Sequence, residues 1–141
     1  MPFIPFHQLA RKIDVNYRSL TITDDTNILP KGEYGFVQTY CDDIKCDCRR
    51  AIILVFNNEK VLARIGYGWE SFDFYKKWFR GSATRSEIMK YIGPCLHDDV
   101  VDTQYSHILL GEFSNCILDD GYRKRIKNNY RLFRLLLSNK N

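Results

Sequence analysis

The run of six apolar residues Ala51, Ile52, Ile53, Leu54, Val55 and Phe56 constrains this chain more than any other segment, because it reads as a well-buried strand. With Arg49 and Arg50 ahead of it, the strand is expected over residues 49–56. Residues 33–40 alternate and are rich in aromatic and β-branched side chains. Residues 61–67 place Val61, Ala63, Ile65 and Tyr67 on one face. Asn57 and Asn58 supply turn chemistry between the second and third strands. A three-stranded antiparallel meander is the simplest arrangement of these segments.

The pattern changes after Gly66 and Gly68. Residues 72–79 carry Phe72, Tyr75 and Phe79 on one helical face and Phe74 with Trp78 on another, so this helix is expected to be buried on more than one side. Thr84 and Glu87 have capping-box spacing ahead of Ile88, Met89 and Ile92, and Gly93 with Pro94 makes a stop. Asp102 or Thr103 is expected to cap a helix carrying Ile108, Leu109, Phe113 and Ile117. Asp119 is expected to cap a last helix striped by Tyr122, Ile126, Tyr130, Phe133 and Leu137. Near the start, a short helix is expected over residues 7–15 with Leu9 and Ile13 on one side, followed by a loop through the polar residues 23–27 to Pro30, Lys31 and Gly32. Strands first and helices afterwards predict an α+β fold in which helices pack on one face of the sheet.

A chain of 141 residues has the length of one globular domain, expected here to span residues 1–141. Hydrophobic residues at 45% and charged residues at 27% fit a folded protein and argue against disorder. The nine Phe, nine Tyr and two Trp foretell an aromatic core. His7 and two prolines interrupt the first residues, so they do not read as a signal peptide, and no segment approaches the roughly 20 apolar residues of a membrane span. A cytoplasmic location without membrane association is the expectation. The formal charge of +4 permits an anionic partner without demanding one.

Cys41, Cys46 and Cys48 fall within eight residues, together with Asp42, Asp43 and Asp47. If residues 42–45 form a hairpin loop, Cys41 and Cys46 face each other across its mouth with β-carbons roughly 4.5 to 5.5 Å apart, and Cys48 points the same way as Cys46. Three convergent sulfurs suit a structural zinc, with Cys95 or His97 as fourth ligand. A carboxylate is less typical of a closed site, and water in the fourth position would shift the reading toward catalytic zinc. In a reducing compartment, five cysteines are better explained as free or metal-bound than as fully paired. Reduced structural cysteines explain the cluster as well, and Cys41 with Cys46 also stands where a cross-strand disulfide would form.

The remaining candidates are less specific. Cys116, amid Phe113, Ile117 and Leu118, reads as a buried structural residue. His7 and His107 have no local partner that identifies a catalytic pair, although a hydrolase or redox enzyme using Cys48 or another cysteine as nucleophile stays open. Gly66-Tyr67-Gly68 lacks the Lys-Ser/Thr pair of a phosphate loop, while Tyr67 and Trp69 either line a pocket or pack as core. The pairs Asp98-Asp99 and Asp119-Asp120 suit loops or helix starts. Arg123, Lys127, Arg131 and Arg134 recur at helical spacing, as a nucleic-acid-binding stripe or a solvated face.

Tyr40-Cys41-Asp42-Asp43, Cys46-Asp47-Cys48-Arg49-Arg50, Tyr67-Gly68-Trp69-Glu70-Ser71 and Phe74-Tyr75-Lys76-Lys77-Trp78 resemble segments of an uncharacterised family of small bacterial proteins. The resemblance covers residues 32–79 and implies a shared fold unit, with no activity to carry over. The chain is expected to be a small binding or interaction module whose cellular role and partner stay open, a protein being one candidate partner, with structural zinc at its cysteine hairpin as the sharpest feature. Nucleic-acid binding through the last helix and a cysteine-based enzyme are the alternatives.

Overall fold

In the computed structural model, which describes residues 3–10, 17–24, 29–97 and 104–140, the apolar run at 51–56 lies at the centre of an antiparallel sheet. The elements are β1 (Phe3–Pro5), α1 (Phe6–Leu9), β2 (Ser19–Ile22), β3 (Gly32–Cys41), β4 (Arg50–Asn57), β5 (Lys60–Gly68), α2 (Phe72–Trp78), α3 (Arg85–Ile92), β6 (Cys95–Leu96), α4 (Ser106–Glu112) and α5 (Asp120–Lys140). A π turn, Phe113–Ile117, continues α4.

The fold is α+β, but among the described residues the sheet has six strands, not three. β3, β4 and β5 pair consecutively, and Asn58 and Glu59 join the last two with φ of 50° and 68°, the left-handed pair that matches hairpin twist. β1 and β2 share the outer edge of β3, and β6 pairs with β5 on the other side. The added strands span two to four residues, too short to display a period.

Alternation along the strands sorts the side chains into two faces. Tyr34, Phe36 and Tyr40 of β3, Ala51, Ile53 and Val55 of β4, and Ala63, Ile65 and Tyr67 of β5 share the first, where Leu109, Phe113, Tyr122, Ile126 and Phe133 complete the core. Each fully buried Phe, Ile or Leu there stabilises the fold by roughly 1.5–3 kcal/mol. Gln38 also lies on this face, and its amide satisfies the polar atoms. It donates to the Tyr122 hydroxyl (3.3 Å) and accepts from the Tyr40 hydroxyl (2.6 Å) and Asn129 (2.9 Å).

Helices occupy the other face too, which corrects the one-sided expectation. Arg50, Gly66 and Gly68 face that way, and α2 and α3 lie against them. Tyr75 of α2 donates to the Arg49 carbonyl at 2.6 Å. Arg50 donates from Nε to the Tyr91 carbonyl at 2.8 Å, with its guanidinium 3.8 Å from the centre of the Tyr91 ring. The two glycines make this possible. A β-carbon on Gly68 would stand 2.5 Å from the Tyr75 hydroxyl, and one on Gly66 would collide with the Arg50 guanidinium. Only Tyr75 of α2 is fully buried, while Trp78 stays 36% exposed, so the expectation of burial on several sides does not hold.

Helix ends follow the local signals. Thr84 and Glu87 form a reciprocal capping box, Gly93 ends α3 at φ 66°, and the Asp119 carboxylate accepts the Tyr122 N–H at 2.8 Å. Cys116 departs from expectation, being exposed. The π turn, closed by the Leu118 N–H on the Phe113 carbonyl at 2.8 Å, turns Phe113 and Ile117 inward and leaves Cys116 outside. Ile13, Asp98, Asp99, Asp102 and Thr103 lie outside the described residues, as does most of the 23–27 loop; the described part of the first helix is α1. No described helix is long and apolar enough to cross a membrane.

Steric accounting for the glycines gives a direct test. Gly68→Ala is expected to lower unfolding stability by about 1–3 kcal/mol by overpacking Tyr75. Gly35→Ala, whose added carbon meets nothing within 4 Å, is expected to be neutral or stabilising by up to about 1 kcal/mol. Denaturant unfolding of both variants checks the contrast, and equal effects would contradict it.

Candidate functional site

The cysteine-bearing connection is longer than a four-residue hairpin loop. β3 ends at Cys41, β4 begins at Arg50, and the register pairs Thr39 with Ile52, which carries Cys41 level with Arg50 rather than with Cys46. Residues 42–49 form the loop, and Arg49 at φ 51° ends any extended run through Cys46 and Cys48. The Asp43 carbonyl accepts the Cys46 N–H at 3.0 Å, and the Asp43 carboxylate accepts the Lys45 N–H at 3.0 Å.

α5 fixes this loop from outside. The two terminal nitrogens of Arg134 donate to the carbonyls of Asp43 (2.9 Å) and Ile44 (2.7 Å). The Tyr130 hydroxyl donates to the Asp47 carboxylate at 2.8 Å. Arg49 bridges Asp47 (3.0 Å) and Glu70 (2.5 Å) while lying 4.6 Å from the centre of the Phe74 ring. Partial burial works against the ionised Asp47 carboxyl, but hydrogen bonds from Arg49 and Tyr130 outweigh it and hold the group below its usual range.

Inside the loop, Cys46 neighbours each of the other two thiols. Cys41 and Cys48 are 1% and 2% exposed, Cys46 is half-buried, and side-chain interactions link Cys46 to both. Burial pushes the Cys41 thiol up and the Cys48 thiol up from 9.0 to about 12, although each sulfur accepts a backbone N–H, from Asp43 and Arg50 respectively. Cys95 and His97 do not join them. Cys95 pairs with Gly66 in β6, and the His97 N–H bonds the Arg64 carbonyl at 2.7 Å. β6 lies two strands beyond β4, about 10 Å across the sheet, with the Arg50 side chain on the intervening face. Among the described residues, no group of three or more His, Cys, Asp or Glu side chains is placed to hold a metal ion. All five cysteines are free.

A cleft of about 720 Å³ opens between this loop and α5. Lys127, Tyr130, Arg131, Arg134, Leu135 and Ser138 form the helix wall, while Ile44, Asp47 and Arg49 from the loop, with Trp69 and Glu70, form the other. Arg49 pairs with both Asp47 and Glu70 and offsets one of their two charges, whereas Lys127 and Arg131 have no carboxylate partner among the described residues. Trp69 stands edge-on to Tyr130 at 5.0 Å between ring centres, and Ile44 (39% exposed) and Leu135 (63% exposed) give the cleft an apolar rim. The site therefore combines positive charge with an aromatic wall.

Three of the four stripe residues named from sequence line this cleft. Arg123 does not; it donates to the Tyr67 hydroxyl at 3.2 Å and lies 5.6 Å from that ring's centre. Tyr67 belongs to the core, and Trp69 is the residue of that pair that reaches the cleft. The Asp47–Arg49–Glu70 bridge and Tyr130 were not expected at the site, and only the helical spacing of 127, 130, 131, 134 and 138 carried a signal for the cleft wall. His7 lies at 2.7 Å from the Tyr17 hydroxyl through Nδ1, and His107 is exposed on α4, both away from the thiols.

The buried thiols set a pH signature. A thiol whose pKa rises on folding favours the native state below its ordinary pKa of 9.0, and that contribution is lost as pH climbs toward about 12. The stability of Cys48→Ala is expected to fall less steeply over that window than that of the unaltered protein. Denaturant midpoints at a series of pH values read the difference, and parallel declines would contradict the buried, protonated Cys48.

No family model, curated protein or solved structure matches this chain, so the resemblance to small bacterial proteins rests on the quoted segments alone.

Proposed function

We propose that this chain is a binding module whose cleft between the 42–49 loop and α5 takes nucleotides or short single-stranded nucleic acid. The observation that carries the reading is the joint presence of Lys127 and Arg131, without carboxylate partners among the described residues, and Trp69 in one recess. Phosphates neutralise the cations, and an unpaired base stacks on an aromatic or guanidinium plane. The volume falls within the range of about 300–1,000 Å³ common for small-ligand pockets. A duplex presents its phosphates but hides its base faces, and would leave Trp69 unused. A cytoplasmic setting goes with the reading, since free thiols persist in reducing compartments.

Fluorescence anisotropy of a labelled 12-nucleotide oligothymidylate against salt concentration tests this, with a mononucleotide as competitor. Removing both charges in Lys127→Gln/Arg131→Gln is expected to weaken binding at least tenfold and to flatten the logarithmic salt slope by about 1.4, at about 0.7 per phosphate contact. Trp69→Ala is expected to cost about 1–3 kcal/mol at all salt concentrations, with Trp69→Phe closer to the unaltered protein. An unchanged slope in the charge variant would reject this surface, and competition only by a protein ligand would turn the assignment toward a protein partner.

A further inference from the structure

We propose that Cys46 is an oxidation site, and that its disulfide with Cys41 reshapes the loop wall of the cleft. The inference rests on the cleft being the binding site, but the covalent step stands on geometry of its own. Cys41 is fixed at the end of β3, where the backbone pairs Cys41 with Phe3 of β1. The hydrogen bond from the Cys46 N–H to the Asp43 carbonyl folds the loop back, and the Cys46 side chain interacts with that of Cys41. Cys46 is also the most accessible of the three, so an oxidant meets it first. Burial keeps Cys41 and Cys48 protonated and shielded, so neither is the first target, and Cys41 serves as resolving partner through its contact with the Cys46 side chain.

A peroxide serves as the oxidant. The Cys46 thiolate attacks one peroxide oxygen, an S–O bond forms as the O–O bond breaks, and the departing hydroxide takes a proton to become water. The Cys41 sulfur then attacks the Cys46 sulfenic sulfur. The S–S bond forms, the S–O bond breaks, and the leaving oxygen departs as water with the Cys41 proton. Two thiols are oxidised by two electrons and hydrogen peroxide is reduced to two waters.

The consequence follows from what the loop carries. A disulfide holds its sulfurs at about 2.05 Å, well inside the contact distance of two free thiols, so closing it drags Cys46 inward. The Asp43 and Ile44 carbonyls that Arg134 grips, and the Asp47 and Arg49 side chains that wall the cleft, lie on the same short loop. Their hydrogen bonds to α5 do not survive a shift of that size unaltered.

Treating reduced protein with stoichiometric hydrogen peroxide, followed by intact mass and peptide mapping, tests the covalent step without reference to any ligand. The expected product has lost two hydrogens, carries a Cys41–Cys46 link, and reverts with dithiothreitol. It is expected in Cys48→Ala and Cys116→Ser, and is expected to be absent in Cys46→Ser and Cys41→Ala. A link through Cys48, Cys95 or Cys116 in place of Cys41, oxidation only to sulfonic acid, or a stoichiometric metal held by the untreated trio would overturn it. Amide hydrogen exchange across residues 42–49 then reads the loop. Faster exchange of the oxidised form, with oligothymidylate affinity reduced about three- to tenfold, is expected. Unchanged loop exchange would overturn the coupling. Altered exchange without oligothymidylate binding in either state would reject the cleft assignment and leave the disulfide standing.

Discussion

Arg134 holds the candidate site together. Its planar guanidinium spans two consecutive loop carbonyls, those of Asp43 and Ile44, and so fixes the 42–49 loop against α5 with a geometry that a lysine would not reproduce. Tyr130, one helical turn earlier, adds the Asp47 carboxylate, and Asp47 orients Arg49 toward Glu70. These bonds fix the loop wall of the cleft against α5 at Asp43, Ile44 and Asp47. Lys127 and Arg131 are left to face the recess with their charge uncommitted to any described carboxylate.

The sheet supplies the rigid base for that arrangement. Its first face is sealed by α4 and α5 through large side chains, with Phe36, Phe113, Tyr122 and Phe133 all fully buried, so α5 has little freedom to shift relative to β3. Its second face is shaped by absence of side chains: Gly66 and Gly68 admit Arg50 and Tyr75, and Tyr75 returns a hydrogen bond to the Arg49 carbonyl at the end of the loop. The loop is thereby held from both sides of the sheet. The thiol trio sits inside it, within reach of the same backbone that forms the cleft wall.

What was legible in the sequence was local. The 51–56 run, the Asn58 turn, the Thr84–Glu87 box and the Asp119 cap each depend on residues a few positions apart, and each stands where its pattern puts it. The cysteine loop was not legible, because Arg134 and Tyr130 are 83 to 91 residues away from the atoms they hold. Alternation of Cys46 and Cys48 imitated a strand that the register at Thr39 excludes. Cys116 was misplaced for a different reason: one π turn shifts the inward face, and composition gives no sign of it. The basic stripe was visible as spacing, but its division into the loop-holding Arg134, the Tyr67-bonded Arg123 and the cleft-facing Lys127 and Arg131 needed the fold.

The most direct test of the central claim is a nitrogen-15 heteronuclear NMR titration of the reduced protein with unlabelled oligothymidylate. The largest shifts are expected on the Trp69 indole N–H and on backbone amides of the 42–49 loop and the 127–138 stretch of α5, saturating together. Shifts centred on α2 and α3, or an indole resonance that does not move while others saturate, would contradict it.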